Sequence, residues 1–108
     1  MFAYKNFVIQ MKIIALEKEI ESFDPKDFQT HSKDEAMQVW ELYKSGLIRE
    51  IYFRDDKNLS VLVLECKDKS EAREILDTLP MVKNNLIDFE IIPLKAYPGF
   101  ERLFENHK

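Results

Sequence analysis

Glycine and cysteine are nearly missing from this 108-residue chain: two glycines, Gly46 and Gly99, and one cysteine, Cys66. Two glycines cannot build a glycine-rich phosphate cradle, and no G-x-G-x-x-G, P-loop, G-x-S-x-G or H-E-x-x-H pattern occurs, so no nucleotide cofactor is expected. With so little glycine and only four prolines, low complexity is excluded too. A lone cysteine forms no disulfide within the chain, which fits a reducing cytoplasm. Cys66 lies in an apolar run and reads as a small buried hydrophobe rather than a nucleophile. No second cysteine stands near it, and the histidines are His31 and His107, so no metal site is expected.

An excess of positive charge is also lacking. Sixteen basic residues face 20 acidic ones, for a net charge of −4. The basic residues are scattered, which opposes binding to a phosphate backbone and makes nucleic acid an unexpected partner. No apolar run nears the ~20 residues that span a bilayer, and the N-terminus lacks the pattern of a signal peptide. Residues 1–10 are either an extension of the first strand or the product of an upstream start codon, since Met11 opens a strand-like stretch of its own.

What remains is the composition of one soluble domain, 45% hydrophobic and 33% charged. Residues 7–17 are apolar and β-branched and read as a strand, followed by a breaker at Asp24-Pro25. Ser32-Lys33-Asp34-Glu35 has the S-x-x-E capping pattern. Ala36, Val39, Trp40 and Tyr43 follow at i, i+3, i+4 and i+7, predicting a helix with this stripe in the core and Gly46 as its left-handed terminator. Ile48–Arg54 and Val61–Cys66 predict a hairpin across the turn residues Asp55–Asn58. Arg54 is expected opposite Ser60, Ile51 opposite Val63 and Arg49 opposite Glu65. Asp68 caps a second helix whose face is Ala72, Ile75, Leu76 and Leu79, and Pro80 is expected to stop it. Ile87–Leu94 predicts a last strand, and Pro93 places it at an edge.

Strand, helix, strand, strand, helix, strand is the ferredoxin-like β-α-β-β-α-β arrangement, an α+β fold with antiparallel strand order 4-1-3-2 and both helices on one face. A strand that faced water on its other side would alternate, and Val61-Leu62-Val63-Leu64 does not. A second copy of the sheet is the economical cover, so a homodimer or larger homo-oligomer is expected. The aromatic tail, with Tyr97, Phe100, Leu103 and Phe104, fits docking on a partner or folding back over its own sheet.

Candidate site residues concentrate in Ile48–Arg54, where charge falls on both strand faces: Ile48, Glu50, Tyr52 and Arg54 on one, Arg49, Ile51 and Phe53 on the other. Arg49 either pairs structurally with Glu65 or holds a substrate carboxylate in a bidentate fork. Glu50 is a proton-transfer base if burial raises its pKa, or a solvated edge residue. Tyr52 is a core aromatic or a pocket donor. His31 is an exposed loop residue ahead of the capping serine, or an acid–base group at a cleft mouth. Arg54, beside the turn, is a surface charge or a further substrate contact.

The span from Trp40 to Phe104 resembles the muconolactone isomerase-like proteins of the dimeric α+β-barrel superfamily. The resemblance lies in Trp40-Glu41-Leu42-Tyr43 with Gly46, in Ile48–Arg54, in Val63-Leu64-Glu65-Cys66 before a helix, in Leu79-Pro80-Met81, and in Ile87–Ile91 leading to Tyr97-Pro98. It implies sheets paired across a dimer, a small-molecule pocket between sheet and helices, and no cofactor. Muconolactone isomerase shifts a double bond in an unsaturated lactone carboxylate by moving a proton. Under this resemblance Arg49 holds the substrate carboxylate, Glu50 or Glu65 carries the proton, and Tyr52, His31 and Arg54 contact the substrate. Arg49 stands where the isomerase has an arginine; Glu50 stands where it has a histidine, a departure from the pattern. The superfamily's cofactor-independent monooxygenases are the other enzymatic option, and a non-catalytic dimeric ligand-binding or interaction module is the rival class.

Overall fold

A computed structural model describes residues 9–20 and 24–105. Residues 1–8 and His107 lie outside the described residues, and with them the first two residues of the expected 7–17 strand. Strand β1 is Met11–Glu17, so it begins at the internal methionine. It pairs antiparallel with β3 (Ser60–Cys66) on one side and β4 (Phe89–Pro93) on the other, and β2 (Ile48–Phe53) pairs antiparallel with β3. The order β2-β3-β1-β4 is the arrangement expected from the sequence, with Pro93 on the edge strand β4. The fold is α+β, a four-stranded antiparallel sheet with helices on one face.

Helix α1 spans Pro25–Lys44 and does not start at Ser32 as expected. Asp24 caps it, its Oδ1 accepting from the Lys26 amide at 3.0 Å, and Pro25 takes the first helical position, where a missing N–H costs nothing. The breaker dipeptide is therefore the helix start. Ser32 lies inside the helix and its hydroxyl donates to the Gln29 carbonyl at 3.1 Å. The C-terminus follows expectation. Gly46 sits at φ 88°, its amide donates to the Tyr43 carbonyl, and the Leu47 amide donates to the Leu42 carbonyl, a Schellman ending.

The predicted core stripe of α1 is not core. Trp40 and Tyr43 are 52% and 48% exposed, Ala36 is exposed and Val39 half-buried, while Leu42 is the buried residue of the helix. The helix is pinned near its end by Leu42. Midway it is held from α3 (Pro80–Lys83), where Glu35 Oε1 accepts from the Met81 amide at 2.9 Å. Between these anchors the small side chains of Ala36 and Val39 leave space above the sheet. Helix α3 is an addition to the expected order. Helix α2 (Lys69–Leu76) ends before Pro80, and Pro80 opens a further turn instead of only stopping the previous helix. The α2 expectation otherwise holds, with Asp68 accepting from the Glu71 amide at 2.8 Å and Ala72, Ile75, Leu76 and Leu79 buried.

The hairpin register differs from expectation by one residue. Phe53 lies opposite Ser60, Tyr52 opposite Val61, Ile51 opposite Leu62 and Glu50 opposite Val63, and a bulge at Arg49 then returns Ile48 to Leu64. The core explains this. Leu62, Leu64 and Cys66 face the helices, so Ile51 must oppose Leu62 to share their face, and a one-residue slip would send it to the other side. The bulge absorbs Arg49 and lets Ile48, which is fully buried, rejoin the core. Ile48 therefore shares a face with Ile51 and Phe53, and Glu50 shares the opposite face with Tyr52.

The core comprises Ile13, Ala15, Ile48, Leu62, Leu64, Phe89 and Ile91 from the sheet against Leu42, Ala72, Ile75, Leu76 and Leu79. The helix-free face carries Ile14, Leu16, Val61, Val63 and Ile92, all half-buried. Beyond β4 the tail forms a 3-10 turn at Gly99–Leu103. Tyr97 packs edge-to-face on Phe100 at 5.1 Å and lies where a Cβ on Gly99 would stand. Tyr97, Phe100, Leu103 and Phe104 are all exposed.

Candidate functional site

Two concave features flank the wall formed by Ala36 and Val39 of α1 and Ile51 of β2. The outer groove gathers Arg49, Glu50 and Tyr52 beneath Trp40 and Tyr43. The bulge turns Arg49 toward Glu65, with Nε 3.6 Å from Oε1, and Lys12 approaches the same oxygen at 3.8 Å. This is a loose, half-exposed ion-pair cluster of little worth to stability. Arg49 and Glu65 thus meet although the bulge removes them from direct pairing. Tyr52 donates to Glu50 Oε1 at 2.8 Å, and this bond raises the tyrosine pKa by favouring the protonated hydroxyl.

Two predicted site residues stand apart. Arg54 forks onto Asp56, with Nε–Oδ1 at 2.9 Å and Nη2–Oδ2 at 2.6 Å, closing the hairpin turn. The pair holds the aspartate below its usual range and the guanidinium above. His31 is in α1, not in a loop, because the helix begins at Pro25. It lies one helical turn before Glu35 and its charge is felt there.

The inner cavity, ≈ 350 Å³, lies between α1 and the helix-facing side of the sheet. Phe28, Val39, Phe53, Leu62, Met81 and Phe89 supply apolar walls, and Glu17, Ser32, Glu35, Asn58 and Ser60 the polar ones. Glu17, at the end of β1, accepts two hydrogen bonds on Oε1, from the Ser60 amide at 2.9 Å and the Ser60 hydroxyl at 3.0 Å. Burial lifts the Glu35 carboxyl above its ordinary value of 4.5; the Met81 amide opposes this, the negative Glu17 adds to it, and His31 opposes it weakly. A half-buried carboxyl beside an apolar cavity, held by one amide, can exchange a proton with a bound molecule.

Sequence reasoning passed over both carboxylates. Glu35 satisfied a capping pattern and Glu17 closed a strand, so neither invited a second reading. The available signal was Asp24-Pro25: a helix starting there places Glu35 mid-helix, where it has no capping work. Among the described residues no group of three or more His, Cys, Asp and Glu is arranged to hold a metal, and no helix is long and apolar enough to cross a membrane.

No curated protein matches the chain. Residues 6–99, nearly the whole described domain and both concave features, match the family model of muconolactone delta-isomerase, and the chain belongs to that family.

Proposed function

We propose that the chain is a cofactor-free isomerase of the muconolactone isomerase type, which moves a proton within an unsaturated lactone bound in the inner cavity. The observation that carries this reading is Glu35, a carboxyl with a raised pKa on the wall of an apolar cavity. As a carboxylate it takes a proton from the γ-carbon of an α,β-unsaturated lactone, and the electron pair moves into a dienolate. The proton returns at the carbon beside the carbonyl, so the double bond shifts and no atom is gained or lost. Poor solvation makes the carboxylate a stronger base than in water, and the Asn58 amide, on the same cavity, is a donor for the dienolate oxygen. A cavity of ≈ 350 Å³ is at the small end of the roughly 300–1,000 Å³ range of ligand pockets, which favours a single ring over the polycyclic substrates of the monooxygenase option.

The outer groove supports a second reading, in which Arg49 anchors a substrate carboxylate, Glu50 or Glu65 carries the proton and Tyr52 lines the wall. Its ground is that Arg49, Glu50 and Tyr52 line one groove. Ultraviolet absorbance of unsaturated lactones follows the double bond and separates the two. With chemistry at Glu35, Glu35→Gln lowers kcat/KM by ~10²-fold or more while Glu50→Gln and Arg49→Ala stay within about threefold of wild type. The reverse pattern moves the chemistry to the outer groove. Absence of turnover by the folded wild type with any unsaturated lactone refutes the enzyme reading and favours the ligand-binding module.

The reading includes a homodimer or larger homo-oligomer. Its support is the apolar strip Ile14, Leu16, Val61, Val63 and Ile92 on the helix-free face, together with the exposed aromatic tail. A two-fold pairing of sheets buries both strips at once.

A further inference from the structure

The inner cavity has a one-sided charge. Glu17 and Glu35 are its ionisable lining residues, and no lysine, arginine or histidine lines it. Of the cations on the surrounding elements, Arg49 pairs with Glu65, Arg54 with Asp56, Lys57 with Glu19 and Lys18 with Asp88, and Lys26, Lys33 and Lys83 on the helices do not line the cavity. His31 lies on α1 one turn from Glu35 but not on the cavity wall. Both hydrogen bonds that Ser60 gives Glu17 end on Oε1, so the negative charge stays fixed at the wall.

A carboxylate entering this space sheds water, meets no cation and stands close to the Glu17 charge. Each of these opposes binding, and none is offset by the apolar walls. A lactone carbonyl sheds far less, because it is neutral and accepts a hydrogen bond from the Glu35 carboxyl in its protonated form or from the Asn58 amide. We propose that the inner cavity takes an uncharged unsaturated lactone or related cyclic carbonyl compound, and rejects a carboxylate of the same shape. The inference rests on the reading that this cavity is the ligand site.

The test is calorimetric titration of the full chain with a matched pair: a γ-methyl butenolide, and muconolactone, which carries a carboxymethyl arm on the same ring. The uncharged lactone is expected to bind at least about 10-fold more tightly. Glu17→Gln is expected to narrow that gap several-fold, because the amide oxygen still accepts from Ser60 while the charge is gone. Equal or tighter binding of muconolactone overturns the inference. If Glu35→Gln abolishes that tighter binding, the cavity reading stands and the charge argument fails alone. If Arg49→Ala abolishes it and Glu35→Gln does not, the cavity reading falls as well. Binding of neither compound overturns both.

Discussion

Replacing Glu35 by glutamine should change how stability depends on pH, with a sign that the site dictates. Burial is the largest influence on Glu35 and favours the neutral acid; Glu17 on β1 acts the same way, while the Met81 amide from α3 and His31 on α1 act against it. The folded pKa therefore lies above the unfolded one. The stabilising contribution of the proton is present in full below the unfolded value near 4.5 and is lost as pH rises through the folded value. Between the two, the folded protein binds up to one proton more than the unfolded chain, so stability falls by at most ~1.4 kcal/mol per pH unit. Solvent reaching the half-buried carboxyl keeps the change below that limit. Each ~1 kcal/mol of it corresponds to ~4–8 °C in Tm for a domain of this size. Glutamine carries no proton to lose, and its amide oxygen still accepts from Met81. Thermal melts of both proteins by circular dichroism, from about pH 4 to about pH 8, should show Glu35→Gln gaining on the wild type as pH rises. All other acids titrate in both proteins and cancel in the difference. A gap that stays constant across the range means Glu35 ionises in the fold as easily as in water, and the argument for its basicity is refuted.

Two further outcomes test the fold. Asp24→Ala removes the cap of α1 and should cost ~1 kcal/mol, whereas Ser32→Ala, inside the helix, should stay within about 0.5 kcal/mol; denaturant melts that reverse this order would restore the start at Ser32. Val63→Lys places a charge in the middle of the helix-free apolar strip, so light scattering after gel filtration should show a smaller species than the wild type while circular dichroism stays native. An unchanged mass would mean that this face does not join subunits.

Sequence alone determined the elements whose signals are local. The i, i+3, i+4, i+7 face at Ala72–Leu79 reads as buried because every member is aliphatic, and no other packing of α2 hides all four. Gly46 reads as a terminator because a left-handed residue is least costly there. The strand order follows from the sequence of elements, since short hairpins and crossovers leave few alternatives. The fully apolar run Val61–Leu64 marked the helix-free face as apolar before any contact was known. Tertiary structure decided what depends on two elements at once. The start of α1 was open to two signals, and Asp24-Pro25 prevailed because it satisfies an end amide and removes another. The β2–β3 register was set by the demand that Ile48 reach the core while Ile51 stays on the helix-facing side opposite Leu62, which the bulge at Arg49 satisfies. Trp40 and Tyr43 have the spacing of core residues, yet α1 is pinned at Leu42 and at Glu35, and the gap between those anchors became a cavity. Glu17 and Glu35 are eighteen residues apart along the chain. Their shared wall exists only because α1 and α3 fold over the end of β1, and no spacing rule connects residues brought together that way.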